Sequence, residues 1–531
     1  MDAGNPFAYA RVALAPEGDH RPVQRRQEHP MANLAQILTD TASRHGDRIA
    51  LRQDEEELTY AELDQRVALA AGWLRSQGVG PGDPVVLSLP NITAFVVAYY
   101  GILRAGGVVV PMNPLFKPRE VAYYLQDSGA RLIIAATPDA AEGAEEAGAT
   151  FVPVTDLPGL LAAAEPVTEA VDRDDEDTAV ILYTSGTTGR PKGAELRHRN
   201  LRSNAEVCGR TLLRLTPEDT VVGCLPLFHV FGMTCAMNTA ILAGATLSLI
   251  PRFAPDKAFE VIQRDRATIF EGVPTMYAAM LQAARAVTAA GGEIPDLSSL
   301  RTCISGGASL PVEVLRAFEE TFDAMILEGY GLSETSPVAS FNHPERVRKP
   351  GSIGTPIEGV EMDLRTPEGE PVPEGEIGEI VIKGANIMRG YWGRPDATAE
   401  AIQDGWFRSG DLGRRDSDGY YYIVDRAKDM IIRGGYNVYP REVEEVLYEH
   451  PGILEAAVVG QPHEHYGEEV AAFVALKPES GLAADDATAE ELREFCKARL
   501  AAYKYPRHIS FVDALPKGAT GKILKRELPT S

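Results

Sequence analysis

Residues 183–193 read YTSGTTGRPKG. Glycines free backbone N–H groups, small hydroxyls stand beside them and a lysine closes the stretch. Together these make an anion-binding concavity suited to phosphate. The spacing departs from the common nucleotide loop, where glycine directly precedes the lysine and a hydroxyl directly follows it. Here Pro191 precedes Lys192 and Gly193 follows. Proline removes an N–H and fixes φ, so the loop cannot wrap a phosphate straight into a helix start. By composition alone it reads more readily as a structural turn, and the rest of the chain has to decide.

Four later stretches carry further chemistry: EGYGLSETSP (328–337), WFRSGDLGRRDSDGYYYIVDRAKD (406–429), MIIRGGYNVYPREVE (430–444) and PKGATGKILKREL (516–528). Read singly, each has a plain structural meaning. Ser333 and Glu334 suit a helix start as N-cap and dipole partner. Asp411 after a glycine suits an Asx-turn. Lys428 suits a surface ion pair, Lys522 one base in a solvated tail, and His229 in PLFHVFGM a hydrogen-bonded core residue.

In order and spacing, however, the five stretches together resemble the adenylate-forming superfamily of acyl-CoA synthetases, peptide-synthetase adenylation domains and beetle luciferases. The resemblance runs from about Met31 to the C-terminus and is closest to bacterial medium- and long-chain fatty acyl-CoA ligases. It implies a large N-terminal α/β domain of layered, mostly parallel sheets with a small β-barrel subdomain, followed by a small mobile α+β domain. The implied chemistry has two steps. A carboxylate is a poor electrophile, so it is first joined to the α-phosphate of ATP as acyl-AMP, and a thiol of coenzyme A then displaces AMP. The first step needs charge stabilisation and Mg²⁺ on the phosphates.

Carried over residue by residue, Thr184, Ser185, Gly186, Thr187, Thr188 and Lys192 would hold the departing β- and γ-phosphates. Tyr330 would stack on adenine, Ser333 would bond the α-phosphate, and Glu334 would hold Mg²⁺, which prefers oxygen ligands. Gly306 and Gly307 of SGGASL would let adenine and the acyl group pass close to backbone. Asp411 would bind the ribose hydroxyls with Arg426 beside it. Lys428 would be the hinge, and Lys522 the lysine that meets the carboxylate and the α-phosphate. Gly434 and Gly435 would line the pantetheine tunnel, and His229 would stand by the reactive carboxylate. Many relatives carry threonine where Ser333 stands; the hydroxyl is kept.

Amino-acid-activating relatives place an aspartate where Gly232 follows Phe231. A buried ammonium without a counter-charge is costly, so an amino acid is not expected. The apolar run 230–247 suits an alkyl or aryl tail, with a medium- or long-chain fatty acid first and a hydroxycinnamate-type acid second. A fatty acyl-AMP ligase serving an acyl carrier protein usually has an insertion that hampers rotation, and none is obvious across 350–430. A luciferase-like oxidoreductase shares every motif, but the Pro-Thr-Ser C-terminus is not the peroxisomal tripeptide. A non-catalytic binding protein would be expected to have lost Lys522 or Glu334.

The bulk numbers agree. A chain of 531 residues with 44% hydrophobic and 24% charged residues is an ordinary globular protein of two or more domains. Its 52 Lys+Arg against 76 Asp+Glu leave a net charge of −24, which repels nucleic acid and anionic membrane. An anionic substrate must therefore be drawn in by a local basic pocket. Five cysteines without C-x-x-C spacing support neither a disulfide framework nor a zinc site, and fit a cytoplasmic setting. Residues 221–250 carry no charge, but Pro226, His229 and Asn238 point to a buried strand–turn–helix rather than a membrane span. Monomer and homodimer are both open.

These residues must be positioned by alternating elements. Leu34, Ile37 and Leu38 share a helical face that Gly46 ends, and Thr59–Glu62 forms a capping box ahead of Leu63, Val67 and Leu74. Strand patterns follow at 84–89, 106–114, 131–136, 178–186 and 245–250, alternating with helices as in a parallel sheet. After about residue 350 short strands and tight turns take over, with a hairpin at Asp418-Gly419. Pro440 opens a helix that Pro451-Gly452 ends, and Thr488–Glu491 reads as a second capping box. The expected domains are 31–425 and 426–531. Residues 1–30, rich in Pro, Arg and Gln, are expected to be a loose extension, with Met31 as a candidate second start.

Overall fold

The computed structural model describes residues 33–184, 190–518 and 521–529. The expected extension 1–30 and the expected phosphate contacts Ser185, Gly186, Thr187 and Thr188 lie outside the described residues.

Two largely parallel sheets dominate. The first has six strands in the order Thr150–Pro153, Leu132–Ala135, Pro84–Ser88, Val108–Pro111, Thr178–Thr184 and Lys192–Arg197, and only the last runs antiparallel. Its strands are continuous apolar runs because both faces are covered. Val85, Leu87, Val109 and Ile134 pack into one core, and the alternate residues Val86, Val110 and Ile133 into another. The second sheet has nine strands. Ile49–Gln53, Thr246–Leu249, Thr220–Gly223, Ile269–Gly272, Thr302–Ser305 and Ile326–Gly331 run parallel, with antiparallel strands at both edges. In such sheets ligands gather beyond the carboxyl ends of the strands. Thr184, Gly306 and Tyr330 all lie at such ends.

The expected barrel after residue 350 takes the form of a curled, half-closed antiparallel sheet of five strands, running from Val360–Arg365 to Tyr421–Arg426. Sheet membership then changes between Arg426 and Ile431. The small C-terminal α+β domain is a five-stranded sheet around the Ile453–His463/Gly467–Leu476 hairpin, covered by helices Pro440–Tyr448 and Asp486–Lys497. It has its own core, built on Val443, Leu447, Val458, Leu492 and Cys496.

Local signals behave as short-range physics dictates, with two exceptions. Thr59 and Glu62 form the reciprocal capping box, and Pro440 opens its helix at the first turn. The expected cap at Thr488 is corrected: the helix begins at Asp486, and the Asp485 carboxylate accepts from Thr488 N at 3.0 Å. A carboxylate three residues upstream caps that turn, so Thr488 lies inside the helix and is buried. Gly46 ends its helix, but in right-handed rather than left-handed geometry. The uncharged stretch 221–250 is a buried strand, a π-helical segment Phe231–Asn238, a short helix and a strand. Among the described residues no helix is long and apolar enough to cross a membrane.

One core residue stands out. Glu271, in a central strand, is fully buried, and neither carboxylate oxygen has a hydrogen-bond partner among the described residues. Burial pushes its pKa up to about 8. The folded state therefore keeps a proton that the unfolded chain releases near 4.5. The corresponding stability is fully present below that value, and is lost progressively as pH rises towards 8. Glu271→Gln should remove that decline. Its melting temperature is expected to gain on the wild type from about pH 5 to about pH 8, reflecting a few kcal/mol. Parallel melting curves at every pH would show that Glu271 is not the group responsible.

Candidate active site

A cavity of about 1150 Å³ opens where the carboxyl ends of the parallel strands meet the curled sheet and the C-terminal tail. Thr184, Lys192, Gly306 and Gly307 line it from the large domain, as do Tyr330, Ser333, Glu334 and His229. Arg426 and Lys522 close it from the far side. Residues up to 338 positions apart (Thr184 to Lys522) thus share one wall.

One side of the cavity is organised by a buried carboxylate behind it. The Tyr330 hydroxyl donates to one oxygen of Asp411 at 2.6 Å, and Arg426 Nε lies 3.1 Å from the other. Asp411 and Arg426 are cross-strand partners in the Trp406–Arg415/Tyr421–Arg426 pair. Asp411 N donates to Ser409 Oγ at 3.0 Å. Asp411 is therefore a strand residue with both oxygens engaged, and not the cap of an Asx-turn.

Glu334 sits in a single 3₁₀ turn, Ser333–Thr335. The cap there is made by Thr335, whose hydroxyl oxygen accepts from Leu332 N at 2.8 Å, so Ser333 keeps its hydroxyl for the cavity. Burial raises the Glu334 pKa, while the Tyr391 hydroxyl, Arg426 and Thr184 favour its ionised form. Tyr391 donates to Oε1 at 2.9 Å. The same ring lies 5.3 Å from Lys192 Nζ. Thr184 pairs with Lys192 in register, so the two ends of the glycine-rich loop stand side by side next to Glu334. Among the described residues no cluster of three His, Cys, Asp or Glu could hold a metal by itself. One carboxylate beside a glycine-rich loop is a donor set that would suit Mg²⁺ bound mainly through substrate phosphates.

Lys522 is delivered by a tight tail. Gly518 N donates to its carbonyl at 2.8 Å, and Lys517 bridges Ile523. Gly521 has φ +75° and passes so close to Thr275 that a Cβ would lie 2.7 Å from its hydroxyl oxygen, so only glycine fits before the lysine. Lys522 opens onto the cavity, yet the crowding around it pushes its pKa down to about 8. Arg426 adds to that, and Asp411 and Asp429 oppose it. His229 is pushed down to about 4 by burial and by Lys522, so its imidazole is neutral at ordinary pH.

The His229 loop is held by Asn91. Its Nδ2 donates to the Gly223 and Leu225 carbonyls at 2.9 and 2.7 Å, and its Oδ1 accepts from Leu227 N at 2.9 Å. Beyond His229 the cavity wall is apolar, formed by Leu212, Val230, Phe231, Cys235 and Val338. Gly232 is pinned: a Cβ there would lie 2.5 Å from the Pro226 carbonyl oxygen. No carboxylate side chain fits at that position without moving backbone, consistent with the exclusion of an amino acid. A Cβ on Gly306 would lie 3.1 Å from the Phe231 ring, a less severe but still tight approach.

Four expected residues do not line the cavity. Asp411 stands behind Tyr330 and Arg426, which do. Lys428 lies between the curled sheet and the C-terminal sheet, and Gly434 and Gly435 form the turn between Ile431–Arg433 and Tyr436–Val438. Conversely, Tyr391, Ser409 and Asn91 were missed by sequence reasoning. The NIMRGYWGRP run around Tyr391, with its glycines and aromatics between polar segments, was the available signal.

The AMP-binding enzyme family matches residues 38–392, and the AMP-binding enzyme C-terminal domain matches 442–522. The chain belongs to the AMP-binding enzyme family. Among curated AMP-binding enzymes it is 38% identical to a long-chain-fatty-acid–CoA ligase of Bacillus subtilis, over 94% of both chains. It is 41% identical to a feruloyl-CoA synthase of Amycolatopsis, over 90% of this chain and 95% of that one. The ATP-bound structure of MatB from Rhodopseudomonas palustris superposes with a TM-score of 0.85 at 34% identity, over 93% of this chain and 97% of that one. The apo form of MatB gives 0.76 at the same coverage. This AMP-binding enzyme is thus nearer in shape to MatB with ATP than to MatB without it.

Proposed function

We propose that this AMP-binding enzyme is an ATP-dependent acyl-CoA ligase that takes a medium- or long-chain fatty acid. One observation carries the reading. A single cavity is lined by Tyr330 and Arg426, which hold Asp411 behind them, by a metal-ready carboxylate (Glu334), by a cation (Lys522) and by an uncharged tail pocket reached past His229. In the first half-reaction Asp411 takes the ribose hydroxyls, and Thr184 and Lys192 take the outgoing phosphates. Glu334 would hold Mg²⁺, which neutralises phosphate charge when bound. Lys522 draws the carboxylate oxygen and the α-phosphate together and stabilises charge developing between them. Neutral His229 borders the carboxylate without adding a charge. Carboxylate attack on the α-phosphorus releases pyrophosphate and leaves acyl-AMP. Thiolate attack on its carbonyl then releases AMP and leaves the thioester.

The second half-reaction needs Gly434 and Gly435 at the cavity, from which they are absent. We therefore place the domain boundary at 425/426 and a hinge at Lys428, about which residues 426–531 turn to exchange Lys522 for the Gly434–Gly435 turn. CoA is the proposed acceptor rather than a carrier protein, since no insertion is obvious in the sequence across 350–430. All five cysteines are free and buried, which supports a reducing cytosol. The feruloyl-CoA synthase relative keeps an aryl acid as second reading.

Pyrophosphate release from ATP and Mg²⁺, measured across C4 to C18 fatty acids and several aryl acids with and without CoA, tests this. Turnover requiring a fatty acid and CoA supports it. A preference for aryl acids would move it to the second reading. Release that stays stoichiometric with enzyme despite CoA would point to a carrier-protein acceptor.

A further inference from the structure

Among the described residues five cations line the cavity: Lys192, Arg408, Arg426, Lys522 and Arg526. Arg408 is spent on Glu379, and Arg426 on Asp411. The other three form no ion pair with any described residue. Lys192 and Lys522 already have roles in the reading above. Arg526 has none.

Its position follows from how the tail is anchored on both sides of it, in the 3₁₀ turn Lys525–Glu527. Lys522, Leu524 and Arg526 face the cavity. Between them, Ile523 packs into the core of Ala457, Phe473 and Leu515, and Lys525 pairs with Glu444 at 2.7 Å. Leu528 then buries itself in that same core and anchors the end of the segment. An exposed arginine is thus held over the cavity by a docked segment that ends in the 3₁₀ turn Lys525–Glu527, whose flanks Ile523, Lys525 and Leu528 are anchored elsewhere. In a chain of net charge −24, an unpaired guanidinium on a cavity wall is a local reversal of the surrounding field.

We propose that Arg526 contacts the polyphosphate of ATP during adenylation and leaves the cavity with Lys522 when the C-terminal domain turns. This rests on the ligase reading above. Guanidinium presents a planar fork of donors that matches phosphate oxygens, whereas Lys522 acts as a point charge. The arginine therefore serves nucleotide binding and the first half-reaction, and has no part in thioester formation.

The test uses full-length Arg526→Ala and Arg526→Lys, each checked for an unchanged melting temperature. Calorimetry with MgATP alone, ATP–pyrophosphate exchange, and conversion of synthetic acyl-AMP with CoA are measured. Arg526→Ala should raise the Kd and KM for ATP about tenfold, the loss of one charge-assisted contact. Arg526→Lys should recover part of that, and acyl-AMP conversion should be unchanged. An unaltered KM for ATP, equal loss in both half-reactions, or a raised KM for CoA instead would each overturn the proposal. If wild-type enzyme binds no ATP, the ligase reading itself falls and takes this one with it; wild-type binding with no change in Arg526→Ala rejects Arg526 alone.

Discussion

Lys522→Ala is expected to lose acyl-AMP formation by about 10²–10³-fold while still converting supplied acyl-AMP and CoA to thioester. The asymmetry follows from where the charge is needed. In adenylation two anions, the carboxylate and the α-phosphate, must approach each other, and Lys522 is a flexible cation on the cavity wall with no carboxylate partner among the described residues. In thioester formation the electrophile is a neutral acyl carbonyl, and AMP is already a good leaving group. The pH profile gives a second signature. Lys522 is pushed down to about 8, so the adenylation rate should be level below that value and fall as pH rises through it. His229, at about 4, should contribute no limb near neutrality. Pyrophosphate exchange and single-turnover thioester formation, each followed from about pH 6 to about pH 9.5, separate the two steps. Equal loss in both half-reactions, or an alkaline limb that persists in Lys522→Ala, would sink the assignment.

The second large effect is expected at Glu334. Glu334→Gln keeps the shape and the Tyr391 hydrogen bond but removes the charge that would hold Mg²⁺. Adenylation should fall about 10²-fold or more, and half-maximal rate should need more Mg²⁺. ATP should still bind, because the nucleoside clamp of Tyr330, Asp411 and Arg426 is untouched. Folding should not suffer either, since burial already disfavours the ionised carboxyl. The check is pyrophosphate exchange over a Mg²⁺ titration beside nucleotide binding measured by calorimetry. An unchanged Mg²⁺ dependence would mean that the metal is held without Glu334.

Both variants test residues that the resemblance of the five motifs singled out, but their surroundings were legible to different degrees. Glycine, proline and capping residues act over a few positions, which is why Thr59–Glu62 and Pro440 could be read directly. The misplaced cap at Thr488 shows the limit even there. Two acceptable N-caps stood three residues apart, Asp485 and Thr488, and pattern alone does not rank them.

Across longer separations the sequence is silent about partners. The resemblance implied Glu334 as a metal-binding carboxylate, but not that Tyr391, 57 positions away, would hold one oxygen. It named Asp411, but not that Tyr330, 81 positions away, would engage the carboxylate. The sequence placed His229 in an uncharged stretch, but not the hold of Asn91 on Leu227, 136 positions away.

By itself, then, the sequence determined the α/β class, the order of domains and the family, because these rest on hydrophobic period and on motifs that are contiguous in the chain. Tertiary structure alone decided which of the named residues share a cavity. It also decided that Gly232 has no room for a side chain, that Gly434 and Gly435 stand outside the site, and that Arg526 faces into it. The reason is physical. Residue type sets what a group can do, whereas burial, register and the approach of distant backbone set what it meets.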